Sequence, residues 1–330
     1  MRRNYKRNNK KHHKTRSIVM TTLLVGVAFL LGLWTERADY SYQWIETSIS
    51  EMTSRIRTFG SYVFNEPERE SLAEFHFFDV GQGSSTLLKA SDGTTILMDT
   101  GRYDDSEAQI INYLNGEIGV GGEIDLLIFT HNDADHIGNG DLVLEYFQVK
   151  EVWMNGMDHT SQEYGELLDA MLKADITYAE PKTGYASDIG PFSIEVLHPL
   201  ENEKQNSQND ESIVTRIAVG ETSLVHSGDV DAGVEKRILK ESPKSLQSDI
   251  MILGHHGSGS STSEEWLNAV DPGIAVYQAG SGNRYGHPHK EIIKKIADHR
   301  AELFGTDRDG TIRIHVKEDR QHDVFTEEDE

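Results

Sequence analysis

Four side chains able to hold a cation fall within six residues at His131-Asn132-Asp133-Ala134-Asp135-His136. The preceding run DLLIFT is apolar and strand-like, so one strand delivers His131, Asp133, Asp135 and His136 into a single loop. Two carboxylates and two imidazoles held so close repel one another or desolvate poorly, and a divalent cation removes both problems. His and Asp together suit Zn²⁺, Mn²⁺ or Fe²⁺. Gly138 fits a loop whose backbone passes close to such a site. Two later segments share the design. In TSLVHSGDV the strand Ser223–Val225 leads to Gly228-Asp229, and in DIMILGHHGSGSS an apolar strand ends in His255-His256-Gly257-Ser258. A Gly-Asp alone also marks ordinary turns, whereas a His pair at a strand end is more specific.

The chain contains no cysteine, which excludes disulfides, thiolate ligands, a cysteine nucleophile and lipid anchoring through Cys. Any metal must be held by His and carboxylates. The formal charge of −23 hides an asymmetry. Residues 1–16 carry eight Lys and Arg and no acid, leaving 24 basic against 55 acidic residues beyond them, a balance of −31. Ser17 to Trp34 then gives eighteen uncharged residues, SIVMTTLLVGVAFLLGLW, enough to span a hydrocarbon core at about 1.5 Å per residue. The basic block keeps the N-terminus in the cytoplasm and puts everything after Trp34 outside the membrane. An uncleaved anchor fits better than a signal peptide, because the basic region is long and LWTERADYS shows no small-residue cleavage pattern; a cleaved segment would make the protein secreted.

The elements that must position the metal-competent loops follow. Trp44, Ile45, Ile49, Met52, Ile56 and Phe59 recur at helical spacing, as in an amphipathic stalk lying on the membrane, on its own domain or on a second copy. Residues 65–70 read as a linker. Strand-like runs occupy 74–79, 85–89, 95–99, 126–130, 149–154, 192–198, 213–219, 221–225, 250–253, 274–278 and 312–316, with helix-like stretches at 106–115, 163–174, 234–239, 263–270 and 289–299. This mixture predicts an α/β layered domain. The expected organisation is a basic cytoplasmic tail (1–16), a transmembrane anchor (17–34), a stalk helix and linker (35–71), a globular α/β domain (72–318) and an acidic tail (319–330) whose terminal EEDE frays into solvent.

The stretches FFDVGQGSSTLL, ILMDTG, FTHNDADHIGN, VLHP, NDESIVTRIAVGETSLVHSGD, ILGHHGSGSS and GNRYGHPH, in this order, resemble the metallo-β-lactamase superfamily, and within it the C-terminal hydrolase domain of the ComEC/Rec2 competence proteins. The likeness covers roughly residues 74 to 316. It implies a four-layer αββα fold and two divalent ions, Zn²⁺ or Mn²⁺, or a single one. By this resemblance His131 and Asp133 hold the first ion, Asp135 and His136 the second, Asp229 bridges them, and His255 completes the second site. No His precedes the Gly-Asp strand, where the sequence reads Asn209-Asp210-Glu211-Ser212, so His198 or Asn209 is left to complete the first site. Asp135 is expected also to orient a hydroxide held at the metals, and His287 to serve the leaving group. His256, Ser258, Arg284 and Tyr285 are expected to contact substrate. The turn DVGQGSS matches no nucleotide-binding fingerprint, and its glycines at 81 and 83 fit close backbone approach instead.

The expected activity is a metal-dependent phosphodiesterase or nuclease acting outside the cytoplasmic membrane on a nucleic acid, a smaller phosphoester or a cell-envelope polymer. The acidic balance and the lack of a basic stripe oppose long-range attraction of a polyanion. A lactonase or β-lactamase-type carbonyl hydrolase, and a non-catalytic module of a membrane DNA-uptake assembly, are the alternatives.

Overall fold

The computed structural model describes residues 71–102, 109–201, 207–241 and 246–327. The basic tail, the apolar segment at 17–34 and the stalk and linker through residue 70 lie outside the described residues. Among the described ones no helix is long and apolar enough to cross a membrane.

In chain order the first strands are β1 (Ala73–Phe77), β2 (Thr86–Ala90), β3 (Thr95–Met98), β4 (Glu123–Ile124), β5 (Leu126–Ile128), β6 (Gln148–Val149), β7 (Glu151–Trp153), β8 (Thr177–Ala179) and β9 (Ala186–Ile189). They continue as β10 (Phe192–His198), β11 (Val214–Val219), β12 (Thr222–His226), β13 (Ile250–Ile252), β14 (Ile274–Tyr277), β15 (Glu302–Gly305), β16 (Ile312–Val316) and β17 (His322–Thr326). The helices are α1 (Gln109–Ile118), α2 (Ala134–Ile137), α3 (Gly140–Tyr146), α4 (Gln162–Lys173), α5 (Ala232–Glu241), α6 (Glu264–Val270), α7 (Lys290–His299) and α8 (Thr306–Asp309).

One eight-stranded sheet runs β17-β16-β1-β2-β3-β5-β7-β8 and a seven-stranded sheet runs β15-β14-β13-β12-β11-β10-β9. Side chains alternate across each strand, so every sheet offers one face to the other sheet and one to helices. Phe75, Phe77, Met98, Ile128 and Trp153 of the first sheet meet Ile194, Ile217, Leu224, Ile252 and Val276 of the second. On the outer face of the first sheet, Leu87, Leu97, Leu127 and Phe129 pack on Ile110 and Leu114 of α1, Val143 of α3 and Leu167 of α4. On the outer face of the second, Val225, Met251 and Ala275 pack on α5, α6 and α7 through Val234, Ile238, Trp266, Leu267 and Ile292. The result is a helix–sheet–sheet–helix sandwich, each fully buried large side chain contributing roughly 1.5–3 kcal/mol.

Within the first sheet β3, β5 and β7 run parallel, and within the second β12, β13 and β14 do. Parallel strands place their C-terminal ends on one edge, where α/β folds assemble their sites. One expectation is corrected at the C-terminus. Residues 322–326, expected in an acidic tail beyond the domain, form β17, which pairs antiparallel with β16 from Ile312↔Thr326 to Val316↔His322. The period-two alternation of His322, Val324 and Thr326 lets Val324 pack on the inter-sheet core while Asp323 and Phe325 take the exposed face.

Candidate metal centre

His131 lies three residues beyond the end of β5, and α2 begins at Ala134, so the loop turns at once into a helical turn carrying Asp135 and His136. At the end of β3, Asp99 adopts a left-handed backbone (φ 59°) that turns its carboxylate under this loop. Its Oδ1 accepts the Thr130 backbone N–H at 2.8 Å, and its Oδ2 accepts from His136 Nδ1 at 2.7 Å. The second sheet brings Asp229 through the turn after β12, where Gly228 has φ 51° and a Cβ would lie 2.6 Å from Ser212 Cβ. The Ser212 hydroxyl accepts the Asp229 N–H at 3.1 Å. After β13, His255, His256 and Gly257 are successively left-handed, a reversal that aims both rings back toward Asp229.

Asp229, 5% exposed, is the point of convergence. Its Oδ1 lies 3.5 Å from His136 Nε2, and its Oδ2 lies 3.9, 3.6 and 3.7 Å from Nε2 of His131, His255 and His256. Asp135 Oδ2 stands 3.5 Å from His256 Nε2, and Asp133 Oδ2 stands 3.6 Å from His131 Nε2. These separations are long for hydrogen bonds and suit ligands grouped around a shared cation. The Nδ1 atoms of three rings are all engaged: His131 with the Thr130 hydroxyl at 3.2 Å, His136 with Asp99, and His256 with the Gln278 carbonyl at 2.8 Å. The Nε2 atoms of the same three rings are buried and have no hydrogen-bond partner. Rings fixed through one nitrogen with the other bare toward a carboxylate are what a His-bound divalent ion requires. The residues present therefore fit the ions. Two donor sets emerge within 4.8 Å, His131-His136-Asp229 and Asp135-His136-His256.

Burial alone would lower His136, but Asp229 and Asp99 outweigh it and hold the ring well above the usual histidine range. Burial would likewise raise Asp229 and Asp135; His136 and His256 overcome it, and both carboxyls stay below their ordinary values. His256 is raised against burial by Asp229 and Asp135. Burial lowers His255, and burial with neighbouring His256 and His255 pushes His287 down to about 4.

A cavity of about 190 Å³ opens over these groups, lined by Gln82, Asp133, Asp135, Asn209, Asp229, His255, His256, Tyr285 and His287. Of the two adjacent histidines it is His256, expected only as a substrate contact, that joins the Asp135-His136 donor set, while His255 is part-exposed against Asp229 and Asn209. Asn209 Nδ2 lies 3.5 Å from His255 Nε2. His198 stays apart: its Nδ1 donates to the Ser212 carbonyl at 2.9 Å, and its charged neighbours are Glu211, Arg237 and Lys182. Ser258 contacts Ser260 at 3.0 Å and does not line the cavity. Arg284 stacks 4.9 Å over the Tyr285 ring, so only Tyr285 of that pair reaches the cavity wall.

Three contributors had no role assigned from sequence. Asp99 carries the signature of an apolar strand ending in a metal-competent side chain, and ILMDTG displays it. Gln278 Oε1 accepts the hydroxyls of Ser84 and Thr86 at 3.1 Å each, joining the sheets beneath His256. His159 places Nε2 3.7 Å from Asp133 Oδ1, and no local pattern announced it.

Residues 78–280, more than half the chain, match the Metallo-beta-lactamase superfamily. The chain belongs to this superfamily. It is 29% identical over 271 residues to the ComE operon protein 3 of Bacillus subtilis, covering 77% of this chain and 34% of that protein. It is 31% identical over 257 residues to the Competence protein ComA of Neisseria gonorrhoeae, with the same coverage of 77% and 34%. The chain thus spans about a third of the length of these relatives. Among solved structures, the metallo-beta-lactamase fold protein YhfI from Bacillus subtilis aligns with TM-score 0.47 and 12% identity, covering 70% of this chain and 95% of that one. As a superfamily member the chain has the fold of a metal-dependent hydrolase, its donors set at the joined edge of two sheets.

Proposed function

We propose that this protein is a metal-dependent phosphodiester hydrolase whose domain lies outside the cytoplasmic membrane, anchored by residues 17–34. The observation that carries the reading is the buried Asp229 carboxylate ringed by four imidazole nitrogens beneath an open, polar cavity. His131, Asp133 and Asp229, with Asn209 nearby, would hold one divalent ion, Zn²⁺ or Mn²⁺. Asp135, His136, His256 and Asp229 would hold the second. When bound, such ions acidify a water and offset charge on substrate oxygens. Asp135, poised between His256 and the cavity, orients the attacking oxygen. His287 is neutral at pH 7, so it offers one ring N–H to a substrate oxygen rather than an imidazolium proton to the leaving group. His255 faces the cavity from the same wall.

Two features support a phosphoester over a lactam or lactone. Among the described residues no aliphatic side chain lines the cavity, whereas a carbonyl substrate carried on apolar rings needs an apolar pocket. Two relatives are named Competence protein ComA, in Neisseria gonorrhoeae, and Recombination protein 2, in Haemophilus influenzae, which favours a nucleic acid among phosphodiesters. The test is hydrolysis of bis(p-nitrophenyl) phosphate and single-stranded DNA by the purified full chain with Mn²⁺ or Zn²⁺. Asp135→Ala is expected to lower both by more than about a hundredfold, beyond the loss typical of an outer-shell change. Unchanged cleavage sinks the site assignment. No cleavage by the wild type with either ion, or cleavage of a chromogenic lactone instead, sinks the phosphodiester reading.

A further inference from the structure

Strand β1 reads AEFHF: Ala73, Phe75 and Phe77 enter the inter-sheet core, so Glu74 and His76 emerge together on the opposite face. The register sets Lys89 of β2 and His315 of β16 beside Glu74, and Glu117 in the last turn of α1 comes down on the same face. His76 is fully buried, and neither ring nitrogen has a hydrogen-bond partner. Its Nε2 lies 3.4 Å from Glu74 Oε2 and its Nδ1 lies 3.5 Å from Glu117 Oε1. His315 Nε2 stands 3.7 Å from the other Glu74 oxygen.

We infer that Glu74, His76 and Glu117 form a second divalent-cation site, separate from the centre at Asp229, that staples the end of α1 to β1. One donor atom from each of the three lies within 4.8 Å of the other two. Two ligands of a tetrahedral zinc at about 2.0–2.1 Å sit about 3.3 Å apart, close to the His76–Glu74 separation. A buried imidazole with both nitrogens unpaired is costly, and a cation on one of them removes half of that cost. Lys89 does not close the site. Its Nζ donates to the Glu117 carbonyl at 2.9 Å and stands 3.5 and 4.0 Å from the Glu117 and Glu74 carboxylates. Arg313, opposite His76 in the register, adds a second cation to this face, so the case for the site rests on the convergence of three donors around the unpartnered His76 ring. In a chain without cysteine, such a cation does the cross-linking that a disulfide does elsewhere.

The test counts metal in the full chain carrying His136→Ala and Asp229→Ala, which takes donors from both sets of the other centre. After equilibration with Zn²⁺ and removal of loosely held ion, one Zn²⁺ per chain is expected to remain, and Tm is expected to rise with zinc. Co²⁺ in its place is expected to give the visible absorption of a low-symmetry site. Adding Glu74→Gln and Glu117→Gln should abolish the bound ion and the Tm response. No retained ion, or an ion retained equally after both glutamine substitutions, overturns the site. If the alanine variant does not fold, the same glutamine pair in the wild-type chain is expected to lower bound zinc by one equivalent. An unchanged count there overturns the inference as well.

Discussion

At the scale of single residues, Asp99 and His136 decide how the centre behaves before any ion arrives. The 2.7 Å bond from His136 Nδ1 to Asp99 keeps the proton on that nitrogen and leaves Nε2 directed at Asp229. Asp99→Asn keeps the volume and loses the charged acceptor, so divalent-ion affinity measured by competition with a chelator is expected to fall about 10–100-fold with the fold intact. An affinity within twofold of wild type would remove Asp99 from the centre. The protonation states give a second prediction. In the metal-free protein His136 and His256 are held above the usual histidine range, so their stabilisation is complete below about pH 6.5 and is lost as pH rises through their raised folded values. Asp229 and Asp135 are held low, so theirs is present above the ordinary carboxylate range and is lost only in acid. Ions displace the imidazole protons, so the Tm gap between loaded and chelator-treated protein should widen from pH 6 to pH 9, and loading at neutral pH should release protons. A gap that narrows over this range refutes the assignment. Residue types and spacing drew attention to His131, Asp133, Asp135 and His136, and the family resemblance added Asp229. They did not disclose which of His255 and His256 turns inward, because two consecutive left-handed residues reverse the alternation a strand would have continued. Asp99 needed the fold, since it acts on a ring 37 positions away.

At the scale of elements, the site depends on loops from both sheets meeting edge to edge, and the turn after β1 is the joint. Ser84 N–H donates to the Asp135 carbonyl at 3.0 Å, and a Cβ on Gly83 would lie 2.6 Å from that oxygen and 3.2 Å from Gly101 Cα. The glycine spacing of DVGQGSS thus reflects backbone approach to the metal-competent loop, not phosphate cradling. Gly83→Ala must push the Asp135 carbonyl back by several tenths of an ångström, which shifts Asp135 and His136 together. The expected outcome is a folded protein, by circular dichroism, with hydrolysis of bis(p-nitrophenyl) phosphate down about tenfold to a hundredfold, the cost of a small displacement of catalytic groups. Wild-type turnover would show that the loop tolerates the shift. The strands that carry the site were all legible, because each is a buried apolar run ending in polar residues. The unread ones are the two-residue β4 and the edge strands β8, β9, β15 and β17; β9 alternates exposed with half-buried residues, and ASDI holds too little apolar surface to signal a strand. Tertiary pairing, not propensity, makes them.

At the scale of the whole molecule, charge sets the terms on which a polyanion can approach. Beyond the first 16 residues the chain balances at −31, and the cavity wall itself presents Asp133, Asp135 and Asp229. A nucleic-acid enzyme that binds through a basic stripe loses affinity steeply as salt rises, because each neutralised phosphate releases counterions. Here the long-range field repels phosphate, and attraction is confined to the centre, within a few ångströms. Screening at about 10 Å in 0.1 M salt weakens the first far more than the second. KM for single-stranded DNA is therefore expected to fall, or stay level, between 50 and 200 mM NaCl at saturating Mn²⁺. The reference arm is bis(p-nitrophenyl) phosphate, a small monoanion that samples little of the distant field and should show a flat response. A KM for DNA that rises tenfold or more over the same range would mean that a basic surface governs binding, with residues 1–16 the only dense source of such charge. That outcome would also conflict with the proposed topology, which keeps those residues on the opposite side of the membrane from the centre.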